Sequence, residues 1–351
     1  MATTTGREAT TMTAIIQREY GAPEEVFTLE RVARPTPGAG EVLVRIHAAP
    51  ISGTDWHLYR GLPYAARPVT GLRRPRTPVP GLDLAGTVEA AGADVRTLRP
   101  GDEVFGWGAG TFAEYAAVPE SQLLPRPASL TLEQAAAVPI AAFTALQAVR
   151  DRARVRSGQR VLITGASGGV GTYAVQIAKA YGARVTGVCR TTKMDLVRSL
   201  GADEVIDYTT EGLDARGVGY DALIDLYGNP SLAECRRVLK PHGVLALVGG
   251  TGGRWFMGVD RWLRALAVAP FLRLTVRPLI HKDSRTDLVT LTELIEAGRV
   301  TPAVVRTFPL AAAAEAIEYV RQGRARGQVV LVTRGSTTDP GAAGPAGLGP
   351  G

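Results

Sequence analysis

The 351-residue chain is poor in metal-binding and redox-active side chains, with two cysteines and four histidines. Cys189 and Cys235 cannot supply the four thiolates of a structural zinc cluster, and they offer no disulfide framework. The first residues also lack the charged and then apolar pattern of a secretory leader. We therefore expect a reduced, cytoplasmic compartment and no structural zinc.

Long uninterrupted apolar runs are missing as well. The most apolar stretch, Trp262 to Ile280, contains three arginines and two prolines. Arginine near the centre of a bilayer is strongly unfavourable, so no membrane span is predicted, and peripheral contact stays open as an alternative. The net charge of +7 is concentrated in two segments, Arg254 to Arg285 and Arg60 to Pro80. Neither has the aromatic spacing of a nucleic-acid binder, so both are interpreted as rims of a site.

The hydrophobic content of 45% is enough for two domains with sizeable cores. The two ends differ from the rest. Residues 1–11 are small and polar, and residues 336–351 are rich in Gly, Pro and Ala without apolar periodicity. Both are predicted to be disordered tails.

The pattern of short and long apolar segments predicts two kinds of architecture. Short alternating strands around Glu41–Ile46, Gly86–Ala90 and Asp102–Gly106 indicate a mostly antiparallel β domain. A long helix over Thr131 to Asp151 is then predicted, followed by strands near residues 161, 185, 204, 222 and 244 that alternate with helices. A helix from Asp287 to Ala297 and a strand from Gln328 to Thr333 would return the chain to the first domain.

The most informative segment is a buried strand, a glycine-rich turn and a helix between Val161 and Lys179. In that order the glycines allow a tight turn, let a pyrophosphate approach bare backbone, and permit close packing of helix on sheet. The N-terminus of the helix faces the anion. This predicts a dinucleotide site, with contacts from Gly165, Ser167, Gly168, Gly169, Val170 and Gly171.

The next strand, Arg184 to Cys189, bears on which dinucleotide binds. An NAD-specific site places Asp or Glu at the end of this strand, where it binds the ribose hydroxyls. Here the strand is followed by Arg190, Thr191, Thr192 and Lys193. Cations and hydroxyls suit a ribose 2′-phosphate, so NADPH is predicted in preference to NADH. A simple solvated basic loop is the alternative interpretation.

Six motifs in this order resemble the medium-chain dehydrogenase/reductase superfamily, in its zinc-free quinone oxidoreductase-like branch. They begin at Gly81, Pro100, Gly110, Gly165, Leu200 and Ala325, and the resemblance runs from about Ala14 to Thr333. It implies an α/β fold in which a doubly wound Rossmann sheet stands beside a GroES-like, mostly antiparallel β domain. The implied domains are 12–137 with 300–335 for the catalytic β domain and 138–299 for the nucleotide-binding domain, usually in a homodimer.

The same resemblance implies that the catalytic zinc is missing. Zinc-dependent relatives carry a Cys where this chain has Ser52, and a His-Glu pair where it has Leu82-Asp83. Serine and leucine are not useful zinc ligands. Substrate activation would then come from hydrogen bonds, and the predicted polarising residues are Ser52 and His57. Ser52 also fits a simple turn residue, and His57 also fits a structural one.

Further cofactor contacts are implied by position. The expected roles are Thr144 against the nicotinamide, Val248, Gly249 and Gly250 near its carboxamide, and Tyr208 and Arg326 near the adenosine phosphate. Tyr208 would otherwise be an aromatic residue at a strand edge, and Arg326 an ordinary surface arginine.

Taken together, the sequence predicts a zinc-independent, NADPH-dependent oxidoreductase that reduces a quinone or an α,β-unsaturated carbonyl, with no nucleic-acid partner. A metal-free NAD(P)-dependent alcohol dehydrogenase is the alternative within the enzyme class. A nucleotide-binding, membrane-associated or regulatory protein with little turnover is the alternative outside it.

Overall fold

The structure, a computed structural model, describes residues 10–52, 55–227, 230–249, 255 and 259–333. The described strands are β1 (Thr11–Gln17), β2 (Phe27–Ala33), β3 (Glu41–Ile51), β4 (Asp83–Ala91), β5 (Glu103–Trp107), β6 (Tyr115–Pro119), β7 (Leu123–Pro125), β8 (Arg160–Thr164), β9 (Arg184–Cys189), β10 (Glu204–Asp207), β11 (Tyr220–Asp225), β12 (Leu239–Leu247), β13 (Thr275–Pro278), β14 (Val304–Pro309) and β15 (Gln328–Val332). The α-helices are α1 (Pro23–Val26), α2 (Asp55–Tyr59), α3 (Arg67–Thr70), α4 (Leu132–Ala136), α5 (Pro139–Gln147), α6 (Gly169–Ala180), α7 (Met194–Ser199), α8 (Leu232–Val238), α9 (Val259–Leu272), α10 (Arg285–Glu296) and α11 (Ala313–Arg321).

The half of the structure that contains the glycine-rich turn is built on a six-stranded parallel sheet in the order β10-β9-β8-β11-β12-β13. This is the doubly wound Rossmann order, with β8 and β11 at the point where the strand order reverses. Alternate residues of β8 enter different cores: Val161 and Ile163 pack in one cluster and Leu162 in another. The five predicted parallel strands are confirmed. The sixth, β13, was not predicted.

The other half contains a seven-stranded sheet in which β14, β15, β3, β4, β5 and β7 follow one another and β6 also pairs with β3. The strand β15 runs antiparallel to β3, with Val329 opposite Ile51. The chain therefore returns to its first sheet after the whole nucleotide-binding sheet has been formed. A separate antiparallel pair joins β1 to β2, so Thr11, which the sequence places in a tail, begins a strand.

The prediction of a single long helix from Thr131 to Asp151 is wrong, because the structure has three separate helical segments there. Helix α4 is opened by Thr131, whose side chain and that of Gln134 form a reciprocal capping box. Pro139 then begins α5, since proline has no N–H to donate and is favoured in the first turn of a helix. A π-helical turn, Ala148–Ala153, follows α5.

The apolar stretch Trp262 to Ile280 is divided between α9 and the edge strand β13. Ala265 and Ala269 face the core, whereas Leu263 and Phe271 are exposed. Among the helices that the structure describes, none combines the length and the apolar character needed to cross a bilayer.

Candidate active site

The glycine-rich turn between β8 and α6 is folded tightly against its own backbone. A Cβ atom on Gly171 would stand 2.1 Å from the carbonyl oxygen of Gly165, so no other residue fits there without moving the helix. The amide of Gly168 donates to the Gly165 carbonyl at 3.0 Å. This close packing brings the start of α6 to the carboxyl end of the parallel sheet.

The N-terminus of α6 has no side-chain cap, which is also the case for α1, α3, α5, α7 and α11. Thr131, Ser231 and Ser284 cap α4, α8 and α10 with side-chain oxygens, but the N-cap of α6 is Gly168, which has no side chain to offer. The first amides of a helix need an acceptor, and the helix dipole favours an anion there. Ser167 is buried and Val170 packs against the main core, so both shape the turn.

The turn faces the residues that follow β11 and β12. A Cβ atom on Gly165 would lie 3.6 Å from the Cβ atoms of both Leu226 and Tyr227. The amides of Val248 and Gly249 donate to the Asp225 carbonyl at 3.0 and 3.3 Å. These elements therefore lie together at the carboxyl end of the sheet, at the switch point where doubly wound folds have their ligand crevice. Gly250, predicted to contact the carboxamide, lies outside the described residues.

The loop after β9 is held by the end of β10. Thr191 donates its hydroxyl to the carboxylate of Asp207, and this bond together with one from Thr209 lowers the pKa of Asp207 to about 2. The Arg190 Nε atom donates to the Tyr208 hydroxyl at 3.3 Å. The structure thus brings together three of the residues predicted around the adenosine phosphate: Arg190, Thr191 and Tyr208.

Lys193 joins this group from the other side. Its ammonium donates to the Ala325 carbonyl at 2.5 Å, which links the loop to the segment that leads into β15. Burial first, and then the nearby charges of Arg190 and Arg326, lower the pKa of Lys193. The predicted basic residues therefore lie close enough to repel one another, an arrangement that an added anion would relieve.

The predicted polarising residues lie after the end of β3. Ser52 is exposed and follows the last residue of that strand. His57 is half-buried on α2, with its ring in an edge-to-face contact with Trp56 at 5.0 Å. Burial, and secondarily the charge of Arg60, lowers the pKa of His57. Its Nδ1 atom is buried and has no hydrogen-bond partner among the described residues.

Thr144 is buried within α5, where its hydroxyl donates to the Ile140 carbonyl at 2.8 Å. The amide of Ile140 donates to the Asp83 carboxylate at 3.3 Å. Asp83 is the acid at the position that resembles the zinc-binding motif, and here it anchors the helix that carries Thr144. No group of three or more His, Cys, Asp or Glu side chains suited to a metal occurs in the described part of the chain.

The sequence analysis did not assign three residues of this region to the site: Asp225, Arg261 and Gln328. Asp225 is fully buried at the end of β11, accepts from the Thr164 hydroxyl at 2.6 Å, and pairs with Arg261 of α9 at 2.6 Å. Gln328 of β15 donates to the Gly169 carbonyl at 3.1 Å. A polar residue ending an apolar strand was the available signal for Asp225. Nothing in the local sequence pairs it with Arg261.

The chain is similar in sequence to two family profiles and to known oxidoreductases, and similar in fold to solved structures. A family profile described as "Alcohol dehydrogenase GroES-like domain" matches residues 38–128, and one described as "Zinc-binding dehydrogenase" matches residues 200–331. NAD(P)H oxidoreductase RTN4IP1, mitochondrial, of Bos taurus is 33% identical over 365 residues, covering 93% of this chain and 91% of the relative. Quinone-oxidoreductase QR1, chloroplastic, of Triphysaria versicolor is 33% identical over 333 residues, covering 91% and 98%. The solved structure of the quinone oxidoreductase from Coxiella burnetii has a TM-score of 0.81 at 28% identity, covering 92% and 100%.

Proposed function

The chain belongs to the medium-chain dehydrogenase/reductase superfamily, among its NAD(P)H and quinone oxidoreductases, and we propose that it is a zinc-independent reductase that uses NADPH. The proposed substrate is a quinone or an α,β-unsaturated carbonyl. The observation that carries the proposal is that the uncapped start of α6 and the basic loop follow the neighbouring parallel strands β8 and β9 at the same edge of the sheet.

The residues of the crevice fit a dinucleotide. The first amides of α6 and the turn from Gly165 to Gly169 would hold the pyrophosphate, because no side chain caps this helix. Val248 and Gly249 would lie near the carboxamide, and Thr144 against the nicotinamide. The Thr144 hydroxyl already donates to Ile140, so its oxygen would act as an acceptor. When bound, the cofactor supplies the hydride.

The preference for NADPH rests on Arg190 and Lys193, with Tyr208 and Arg326 beside them. No acid ends β9, and the acid that ends β10, Asp207, accepts hydrogen bonds from Thr191 and Thr209. We expect the pair Arg190→Ala and Lys193→Ala to weaken NADPH binding by about 100-fold, since each charge-assisted hydrogen bond contributes about 1.5–3 kcal/mol. NADH binding should change little. Fluorescence titration of both cofactors measures this.

The matched control is Arg184→Ala, which removes an exposed cation from the opposite end of the same strand. Equal losses for NADPH and NADH in the double variant would refute the 2′-phosphate role. An effect of Arg184→Ala as large as that of the double variant would show that general charge is responsible.

Polarisation of the substrate is assigned to His57 and Ser52. The lowered pKa keeps His57 neutral near pH 7, its ordinary value being 6.5. A proton on Nε2 avoids burying an unpaired N–H at Nδ1. His57 would then donate from Nε2 to the substrate oxygen, and Ser52 would donate from its hydroxyl.

The proposal of zinc independence is supported by the donor set at the positions of the zinc ligands. Ser52 and Leu82 offer no thiolate or imidazole, and Asp83 bonds to the amide of Ile140. The first test is titration with NADPH and NADH, followed by oxidation of the bound cofactor with quinones, enones and simple ketones, before and after chelation. Turnover of quinones or enones that survives chelation is expected.

Other outcomes of that test assign other functions. Turnover of simple ketones alone would support the alternative alcohol dehydrogenase, which the match to the alcohol dehydrogenase profile favours. A chelator-sensitive rate would refute zinc independence. Cofactor binding without turnover would support a regulatory protein, and absence of cofactor binding would refute the assignment of the glycine-rich turn.

Assembly and compartment remain proposals. The family resemblance implies a homodimer, which light scattering would detect. Cys189 and Cys235 are both free and buried, in keeping with a reduced compartment. The relatives named above include mitochondrial and chloroplastic proteins, so imaging of a tagged full chain should test the cytoplasmic prediction.

A further inference from the structure

A surface next to the predicted polarising residues is not used by the proposed chemistry. We call residues 60–76 the arginine arm; it begins directly after α2, the helix that carries His57. The ring of Tyr64 meets that of Trp255 edge-on at 5.4 Å. The Ala65 amide donates to the Trp255 carbonyl at 3.3 Å. Trp255 follows β12, so the arm reaches from the β domain to the nucleotide-binding domain.

Large apolar side chains stand out from this surface. Val69 is 73% exposed, Leu72 is 70% exposed and Trp255 is 64% exposed. Val69 and Leu72 lie on the arm, and Trp255 contacts the arm at Tyr64 and Ala65. A cluster of protruding apolar side chains on a soluble protein marks an interaction site more often than a single exposed residue does.

The exposure is held by a defined turn. The Tyr20 hydroxyl donates to the Gly71 carbonyl at 2.8 Å, and the Arg76 amide donates to the Thr70 carbonyl at 2.8 Å. Gly71 has a φ of +124°, and a Cβ atom there would be 2.0 Å from the Arg74 carbonyl. The turn therefore requires glycine, and it holds Leu72 away from the core.

The charge of the arm is of one sign. Between Arg60 and Pro80 there are five arginines and no acid. Arg60 and Arg67 lie over the rings of Trp56, Tyr20 and Tyr64. The other three, Arg73, Arg74 and Arg76, are exposed and form no ion pair with a described acid. By contrast, Arg18 and Arg126 pair with glutamates at 2.5 Å.

We propose that the arginine arm, together with Trp255, is a docking surface for an anionic lipid bilayer. Val69, Leu72 and Trp255 enter the interfacial layer, and Arg73, Arg74 and Arg76 contact lipid phosphates. The protruding Val69 and Leu72 beside exposed arginines favour a lipid surface over nucleic acid, because aliphatic side chains offer a base neither a hydrogen bond nor a stacking face. Docking would bring α2, which carries His57, close to the membrane. This inference goes beyond the proposed reductase function and does not depend on it.

Co-sedimentation with vesicles tests the proposal on the full chain without cofactor. The lipids are phosphatidylcholine alone and phosphatidylcholine with phosphatidylserine. The unaltered protein should bind the anionic vesicles and bind neutral ones at least about tenfold more weakly. The triple variant Arg73→Gln, Arg74→Gln, Arg76→Gln should lose about fivefold in affinity per arginine. The double variant Val69→Ser, Leu72→Ser should lose about tenfold or more on anionic vesicles.

The matched control is Leu263→Ser with Phe271→Ser, an exposed apolar pair on α9 outside the arm. It should bind vesicles as the unaltered protein does, and circular dichroism should show that all variants fold. Absence of vesicle binding by the unaltered protein would overturn the proposal, as would an equal loss in the α9 control. A change of oligomeric state in the arm variants would instead assign the surface to a second copy of the chain.

Discussion

Gly168 is the residue where one side chain should remove the pyrophosphate without disturbing the fold. Its φ is −82°, which any residue adopts, and a Cβ atom there meets only the Gly165 carbonyl, at 3.3 Å. Gly168→Glu should lower NADPH affinity at least about 100-fold, because a carboxylate would face the anion. Gly168→Ala is the control and should retain most of the affinity. Fluorescence titration measures both, and unchanged binding by the glutamate variant would refute the assignment of this turn.

His57 gives the site a pH dependence whose sign is defined. Its pKa lies below the ordinary 6.5 in the folded protein, so the unfolded chain binds the proton more tightly. The folded protein therefore loses stability as the pH falls below 6.5, because the proton binds first to the unfolded chain. His57→Ala should reduce this loss, as seen in urea unfolding at about pH 7.5 and about pH 5.

The same variant should lower turnover about 100-fold without changing NADPH affinity, since in the proposed mechanism the ring would donate to the substrate and not to the cofactor. An unchanged rate would make His57 a structural residue.

At the residue scale, the sequence predicts what lies in one continuous segment. The glycine-rich turn and the basic loop after β9 were placed correctly in the fold because strand, loop and helix follow one another. The assignment of His57 and Ser52 to catalysis stays a prediction. The tie between Lys193 and the Ala325 carbonyl could not be foreseen, because it depends on how β15 returns to the first domain.

At the scale of elements, α9 is anchored to the parallel sheet by a buried ion pair. Asp225 is 0% exposed and Arg261 is 14% exposed at its side chain. Arg261→Met should cost about 3–5 kcal/mol of unfolding free energy, because it leaves a buried carboxylate without its cation. Adding Asp225→Asn to Arg261→Met should restore part of the lost stability, because it removes the buried charge. Urea denaturation of the four members of this cycle measures the coupling.

Arg18→Met is the matched control for that experiment. Arg18 pairs with Glu30 at 2.5 Å, but its side chain is 67% exposed. Removing such a pair should change the unfolding free energy by less than about 1 kcal/mol. A loss for Arg261→Met no larger than for Arg18→Met would show that the Asp225 pair does not anchor α9.

Element boundaries were less predictable than element types. Apolar periodicity alone could not reveal that Pro139 separates α4 from α5 or that the stretch ending at Ile280 contains the edge strand β13. Pro139 itself was a local signal for the first boundary, because proline cannot donate an N–H inside a helix. The second depends on packing: β13 is recognisable as a strand only beside β12, where Val244 lies opposite Thr275. Continuous apolar character does not distinguish a helix from a buried strand.

At the scale of the whole molecule, β15 couples the two halves through Gln328. Its amide donates to the Gly169 carbonyl at the start of α6. Gln328→Ala should weaken NADPH binding by about fivefold, since the turn loses a hydrogen bond worth about 1 kcal/mol. Gln176→Ala is the control, because Gln176 bonds to the backbone of Thr301 instead, at 3.0 and 2.8 Å. It should lower stability and leave cofactor affinity unchanged. Equal cofactor losses in both variants would remove the specific role of Gln328.

The pairing of β15 with β3 also determines when the protein can fold during synthesis. Ile51 can pair with Val329 only after Val329 has been synthesised. The first sheet therefore stays incomplete while the ribosome makes the entire nucleotide-binding domain. The parallel sheet has all its strands from β8 to β13 earlier and can close first. Contacts so distant in sequence slow folding and leave strand edges exposed. The nascent N-terminal half is therefore the part of this chain that most needs a chaperone.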